Sequence, residues 1–176
     1  MKTEVGVIRG ATKKEVLAKK FNVFMGISLN NKWFTKDNIR EYILWGLEHT
    51  KERFCIVVAD TLQAINYRIR SNYSEQSAIR KALKKGDEFI RVINEILEEL
   101  PKEKRDLVDV IRWRDVKQDA SYKIAFSVFL KKFETDELFK GEVKKIVKDF
   151  AERLNQAYMR EEKIEKLGMY IIEELP

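Results

Sequence analysis

Cysteine and histidine each occur once in this chain, as Cys55 and His49, and these two scarcities narrow the chemistry before any motif is considered. A single cysteine forms no internal disulfide, which points to a reducing compartment, and its setting within Phe54-Cys55-Ile56-Val57-Val58-Ala59 reads as inert core. One histidine supports neither a Ser-His-Asp triad nor a His-rich metal site. His49 falls at the end of an amphipathic stretch, where a cation favours the helix dipole; it reads as a capping residue, with a catalytic base as the alternative. No metal ligand set and no cofactor are expected. No apolar run is long enough to span a bilayer or to form the core of a signal peptide, so the expectation is a cytoplasmic protein without a membrane partner. Neither a GxxxxGK[ST] phosphate loop nor a GxGxxG after a strand occurs, which removes the common modes of nucleotide binding. Internal repeats, low-complexity linkers and signs of a second domain are also missing.

What is present suits one globular domain. The chain has 176 residues, 44% hydrophobic and 36% charged, with a formal net charge of +6 and a pI near 9.2. That balance permits a polyanionic partner, and the distribution of charge matters more than its total. Arg80 and Lys84 are four apart, as are Lys81 and Lys85, so on a helix they form one basic stripe, which Arg91 extends. Such a stripe either tracks a phosphate backbone or is simply a solvated helix face.

In its first two thirds the pattern alternates strand and helix. Phe21 to Ile27 predicts a strand, Lys36 to Glu48 a helix capped by Thr35, and Phe54 to Ala59 a second strand. Asp60 opens a helix through Ile69, Ser74 to Leu100 is largely helical with a possible break at Gly86, and Pro101 ends it. Val108 to Trp113 predicts a third strand, and from Asp119 the pattern is helical to the end. This order predicts an α/β fold, a parallel sheet with helices on its faces.

Two constellations carry chemistry. Ser28 stands at the exit of the first strand, and at the carboxyl end of a parallel strand a side chain faces the crevice where α/β proteins bind ligands. A serine there is a nucleophile or a turn former, and without a histidine beside it a nucleophile needs a substrate that is already activated. The second constellation lies on the last helix. Ile164, Leu167 and Ile171 form its apolar stripe, while Tyr170 and Glu174, four apart, put a phenol beside a carboxylate. Apolar neighbours would raise the pKa of Glu174 towards proton exchange with an amine; the alternative is a surface glutamate beside a packing tyrosine. Glu173 lies about 100° further round the helix, facing away from Tyr170, and is expected to be silent.

Together these features resemble the tRNA-dependent cyclodipeptide synthases. Gly26-Ile27-Ser28-x-x-Asn31-x-x-Phe34 is similar to the nucleophile motif of that family, and Tyr170-x-x-x-Glu174-x-Pro176 to its second signature. Between them Asp60, the basic helix, Arg112-Trp113-Arg114 and Tyr122 follow in family order. The resemblance implies a Rossmann-like fold similar to the catalytic domain of class I tyrosyl- and tryptophanyl-tRNA synthetases. It implies that Ser28 takes an aminoacyl group from a first aminoacyl-tRNA, that a second extends it to a dipeptidyl-enzyme, and that intramolecular attack by the free amine releases a 2,5-diketopiperazine.

The same resemblance assigns roles. Gly26 lets the backbone approach the acyl group, Asn31 orders the loop behind Ser28, and Tyr170 and Glu174 hold the α-amino group, with Glu174 the proton carrier. Phe24, Val57 and Val116 match positions lining the first side-chain pocket, and Tyr122 joins them in binding substrate. Arg80, Lys81, Lys84, Lys85 and Arg91 would grip tRNA. Members of the family continue with further strands beyond the Glu-x-Pro. The expectation for residues 1–176 is therefore one synthase-like domain lacking those strands: either the chain is a truncated product or a second polypeptide supplies them, and the uncovered sheet edge invites self-association. Two rival readings are a non-catalytic tRNA- or RNA-binding module on the same scaffold, with Ser28 a turn residue, and a serine acyltransferase or hydrolase acting on small esters.

Overall fold

A computed structural model describes residues 10–18, 21–153 and 160–176. The elements run α1 (Lys13–Leu17), β1 (Val23–Ile27), α2 (Lys36–His49), β2 (Phe54–Val58), α3 (Asp60–Ser71), α4 (Glu75–Glu98), α5 (Lys102–Arg105), β3 (Val108–Arg112), α6 (Trp113–Val116), α7 (Ala120–Thr135), α8 (Glu137–Arg153) and α9 (Glu161–Glu174). They gather into two compact units. The first takes the described residues through Asp60 together with Lys84–Arg112; the second takes Thr61–Leu83 and the described part of Trp113–Pro176.

The first unit is built on a three-stranded parallel sheet of order β1-β2-β3, flanked by helices. The Phe54–Val58 run is apolar almost throughout because β2 is the central strand; Phe54, Ile56 and Val58 are fully buried and Val57 nearly so. Thr35 caps α2, its hydroxyl accepting from the Asn38 amide at 3.3 Å, and Ile39, Ile43 and Leu47 bury the helix's apolar face. Thr50 then joins turn to strand: its Oγ1 accepts from the Val23 amide at 3.2 Å and donates to the Arg53 carbonyl at 2.5 Å.

At the carboxyl end of β2 lies a charged group at zero exposure. Asp60 receives the Arg112 Nε at 2.5 Å, and Arg112 reaches Asp87 on α4 at 2.7 Å through its other guanidinium arm. Gly86 makes this possible. A Cβ there would stand 2.8 Å from the Asp60 Cβ and 3.0 Å from the Arg112 Nη2, so only glycine lets α4 come this close. The break expected at Gly86 therefore does not occur: α4 is continuous from Glu75 to Glu98, and the glycine serves close approach instead.

The second unit is helical. α7, α8 and α9 pack on one another around Phe133, Val143 and Ile172, and a neighbouring layer holds Val147, Ile164 and Leu167 with Ile69 against it. Residue ends differ modestly from the sequence reading. β1 starts at Val23 rather than Phe21, and Trp113 opens α6 rather than closing β3. The short helices α1, α5 and α6 were not expected, since four or five residues carry too little periodicity to register. In the helical reading from Asp119 onward, residues 154–159 lie outside the described residues.

Candidate active site

In the first unit, side chains two apart on β1 share a face, so Phe24 and Gly26 look the same way and Ser28 follows just beyond the strand. Register places Gly26 opposite Val57 and Phe24 opposite Cys55. The Phe24 ring comes within 3.7 Å of where a Gly26 Cβ would stand, and it is 66% exposed. A phenylalanine left this open offers an apolar surface on the strand that leads to Ser28. Cys55 belongs to the same face. Burial, and secondarily the charge of Asp109, push its thiol up, so it remains a neutral thiol rather than a competing nucleophile.

The loop after Ser28 is held by asparagine. The Asn31 amide donates to the Ser28 carbonyl at 3.2 Å, the Asn31 Oδ1 accepts from the Trp33 amide at 3.0 Å, and the Asn31 carbonyl accepts from Phe34 at 3.1 Å. Leu29, 3% exposed, anchors the turn in the core. The single histidine is occupied elsewhere: His49 Nδ1 donates to the Trp45 carbonyl at 2.8 Å, and the imidazole stacks on the Trp45 ring at 4.3 Å between centroids.

The second unit holds the other constellation. Tyr170 is half-buried on α9, and burial, with the Glu174 charge adding to it, pushes its phenol up to about 12. It is therefore a neutral hydrogen-bond donor at physiological pH. Glu174 is solvent-exposed as a residue, yet desolvation of its carboxyl raises its pKa above the ordinary carboxylate value. Val116 is half-buried at the end of α6. Tyr122, 7% exposed, lies edge-on to Trp113 and stacks on Phe126. Its hydroxyl donates to the Glu173 carbonyl at 2.9 Å. Glu173 is anything but idle: its Oε2 meets the Lys117 Nζ at 3.0 Å. Glu173 stands three residues after Tyr170, only about 60° round the helix rather than facing away from it, and sequence periodicity carried no sign of Lys117, 56 residues earlier in the chain.

The basic stripe on α4 is unequal along its length. Lys81 is caged: its Nζ lies 5.0 Å from the Tyr67 ring and 4.6 Å from the Tyr73 ring, and donates to the Tyr73 hydroxyl at 2.9 Å. Lys85 pairs with Glu88 at 2.7 Å. Arg91 lines a groove of about 410 Å³ among Asp87, Glu95 and Glu98, a setting that screens it from an anion. Arg80 and Lys84, both exposed, form no ion pair among the described residues. Among those residues no cluster of three or more His, Cys, Asp or Glu has the arrangement of a metal site, and no helix is long and apolar enough to cross a membrane.

Comparison with solved structures places the fold. A cyclodipeptide synthase from Fluoribacter dumoffii superposes with a TM-score of 0.76 at 20% identity, covering 94% of this chain and 74% of that one. A Mycobacterium tuberculosis protein matches with a TM-score of 0.75 at 22% identity, over 92% and 67%; its structure is described as relating cyclodipeptide synthetases to type I tRNA synthetases. A Staphylococcus haemolyticus synthase gives 0.73 at 24%, over 94% and 73%. Among curated proteins no sequence matches. The family model for cyclodipeptide synthase matches residues 9–176, from ahead of α1 through Pro176, and so spans both the Ser28 loop and the Tyr170–Glu174 turn: the chain belongs to the cyclodipeptide synthase family.

Proposed function

We propose that this protein joins two aminoacyl groups, delivered as aminoacyl-tRNAs, into a cyclodipeptide through intermediates esterified to Ser28. The observation that carries the reading is the placement of Ser28 at the carboxyl end of β1, beyond the open face of Phe24 and Gly26, with Asn31 fixing the turn behind it. In the first step the Ser28 oxygen attacks the ester carbonyl, the bond to the terminal ribose breaks, and that tRNA leaves with a free hydroxyl. The amine of the bound aminoacyl group then attacks the second ester and expels the second tRNA. Finally the new terminal amine attacks the Ser28 ester, closing the six-membered ring and restoring the serine hydroxyl.

Each attack by nitrogen requires an uncharged amine, because an ammonium has no lone pair to give. A carboxylate whose pKa is raised is a stronger base than an ordinary one, which suits Glu174 to take the proton, while the neutral Tyr170 hydroxyl orients the amine. Ser28 needs no histidine for the first step because an aminoacyl ester is a reactive donor and fixed proximity supplies much of the rate. Phe24 and Val57 form the surroundings of the first side chain. Arg80 and Lys84 make the principal phosphate contacts, with Lys81, Lys85 and Arg91 set behind them by their own partners.

The test is chemical analysis of cells expressing the chain. Medium from cells carrying the wild-type protein should contain a 2,5-diketopiperazine by mass spectrometry, and the Ser28→Ala variant should yield none. A protein that binds tRNA without product, indifferent to Ser28→Ala, would be a binding module instead. Ester turnover without tRNA would make it a hydrolase.

A further inference from the structure

The last turn of α9 carries Glu174, and a helix's last carbonyls have no partner within the helix. Just beyond it, the Leu175 amide donates to the Ile171 carbonyl at 3.1 Å. Left to itself, such a turn frays and a side chain on it samples many positions. Here the residue immediately before Glu174 is held at two separate atoms. The Tyr122 hydroxyl caps its backbone carbonyl at 2.9 Å, and the Lys117 ammonium holds its carboxylate at 3.0 Å.

Both holders are themselves fixed. The Tyr122 amide donates to the N-cap carboxylate of Asp119 at 3.3 Å, its ring is wedged between Trp113 and Phe126, and its residue is 7% exposed. The phenol is pushed up to about 12 by burial and the nearby Glu173 charge, so it remains a donor throughout the physiological range. The Lys117 amide donates to the Trp113 carbonyl at 3.0 Å, tying the lysine to α6. Glu173 keeps 15% of its side chain exposed, which makes its pair with Lys117 better shielded than the surface pairs on the neighbouring helices. None of these groups is required by the three chemical steps.

We propose that Lys117, Tyr122 and Glu173 form a latch that sets the last turn of α9 and thereby positions the Glu174 carboxylate for the amine. Tyr122 then acts through the Glu173 carbonyl rather than by touching substrate, and Glu173 is a positioning residue rather than a silent neighbour. The inference rests on the proposed role of Glu174, since a latch has a catalytic consequence only if the turn it holds does chemistry.

The test uses the full chain with bulk tRNA charged with the twenty standard amino acids. Two readouts are taken: the aminoacyl mass on Ser28, and the rate at which cyclodipeptide appears. Tyr122→Phe removes one hydroxyl and Lys117→Met one charge. Each should leave Ser28 acylation unchanged and slow cyclodipeptide release by about fivefold, the range expected for one hydrogen bond. Lys117→Arg, which can still pair with Glu173, should restore the rate. A general loss of structure would lower both steps alike and would not be rescued by arginine. Equal slowing of both steps, or wild-type release from both variants, overturns the latch.

A second measurement separates this idea from the serine reading. Carbon-13 detection of the glutamate carboxyls should show the Glu174 titration moving towards the ordinary carboxylate value in Tyr122→Phe and Lys117→Met, because a frayed turn exposes the group to water. If the wild-type protein is never acylated, the serine mechanism fails while the titration still decides the latch. An unmoved titration in both variants overturns the latch whatever the enzyme does.

Discussion

The two units of this molecule differ in how deeply their charge pairs are buried. Besides exposed pairs such as Lys36 with Glu95, the sheet unit holds Asp60 with Arg112 at zero and 16% side-chain exposure. The helical unit spreads its charges over pairs such as Lys144 with Glu161 and Lys166 with Glu162, whose glutamates are 58% and 73% exposed, and relies on the apolar layers around Phe133 and Leu167. Asp60 has no exposure to water at the end of β2, and a buried carboxylate that loses its counter-charge is costly. Three amphipathic helices leave wide polar faces in water, where a pair adds little and its loss removes little.

The largest difference should appear on breaking one pair in each unit. Arg112→Met removes the guanidinium that pairs with the buried Asp60 carboxylate and should cost about 3–5 kcal/mol in urea unfolding. Lys144→Met should cost at most about 1 kcal/mol in the helical unit. Equal losses would erase the contrast.

A smaller contrast lies in two helical glycines. Gly86→Ala drives a methyl to within 2.8 Å of the Asp60 Cβ and should destabilise by about 1–3 kcal/mol. Gly141→Ala on α8 meets nothing within 4 Å and should stabilise by up to about 1 kcal/mol, because the unfolded chain loses freedom and the helix loses nothing. Thermal or urea midpoints should therefore move in opposite directions.

The smallest effect is a titration within the helical unit. Tyr122 and Tyr170 are both pushed up to about 12, by burial first and then by the charges of Glu173 and Glu174 respectively. Absorbance of tyrosinate should show two phenols ionising about two units after the ordinary ones, each component vanishing in its Tyr→Phe variant. The native state holds these protons more tightly than the unfolded chain does. Stability from them is thus present below pH 10 and falls as pH rises from 10 through 12. Both tyrosines titrating near 10 would remove the buried setting assigned to them.

These contrasts also explain what was legible in the sequence. β2 was readable because the central strand of a parallel sheet is a near-continuous apolar run, β1 and β3 because short β-branched and apolar stretches stand between helical patterns, and Thr35 and Pro101 punctuate their helices by local chemistry. Ile164 and Leu167 were readable as a buried stripe for the same reason of period, although Ile172, fully buried, lies deeper than the Ile171 expected to complete it. Gly86 misled because a helix breaker and a close-contact residue have the same one-letter signature; what decides is Asp60, 26 positions away. The caging of Lys81 by Tyr67 and Tyr73, and the hold of Lys117 and Tyr122 on Glu173, were hidden likewise, since pairs distant along the chain leave no periodic trace. In the candidate site, residue types and spacing were visible in advance, and their partners were not.

The central claim is that Ser28 carries the acyl group, and intact-protein mass spectrometry tests it most directly. The full chain incubated with bulk charged tRNA should gain the mass of an aminoacyl residue, located by peptide mapping to the segment containing Ser28, and Ser28→Ala should gain none. Equal labelling of the alanine variant, or a wild-type protein whose mass never changes, would contradict the account.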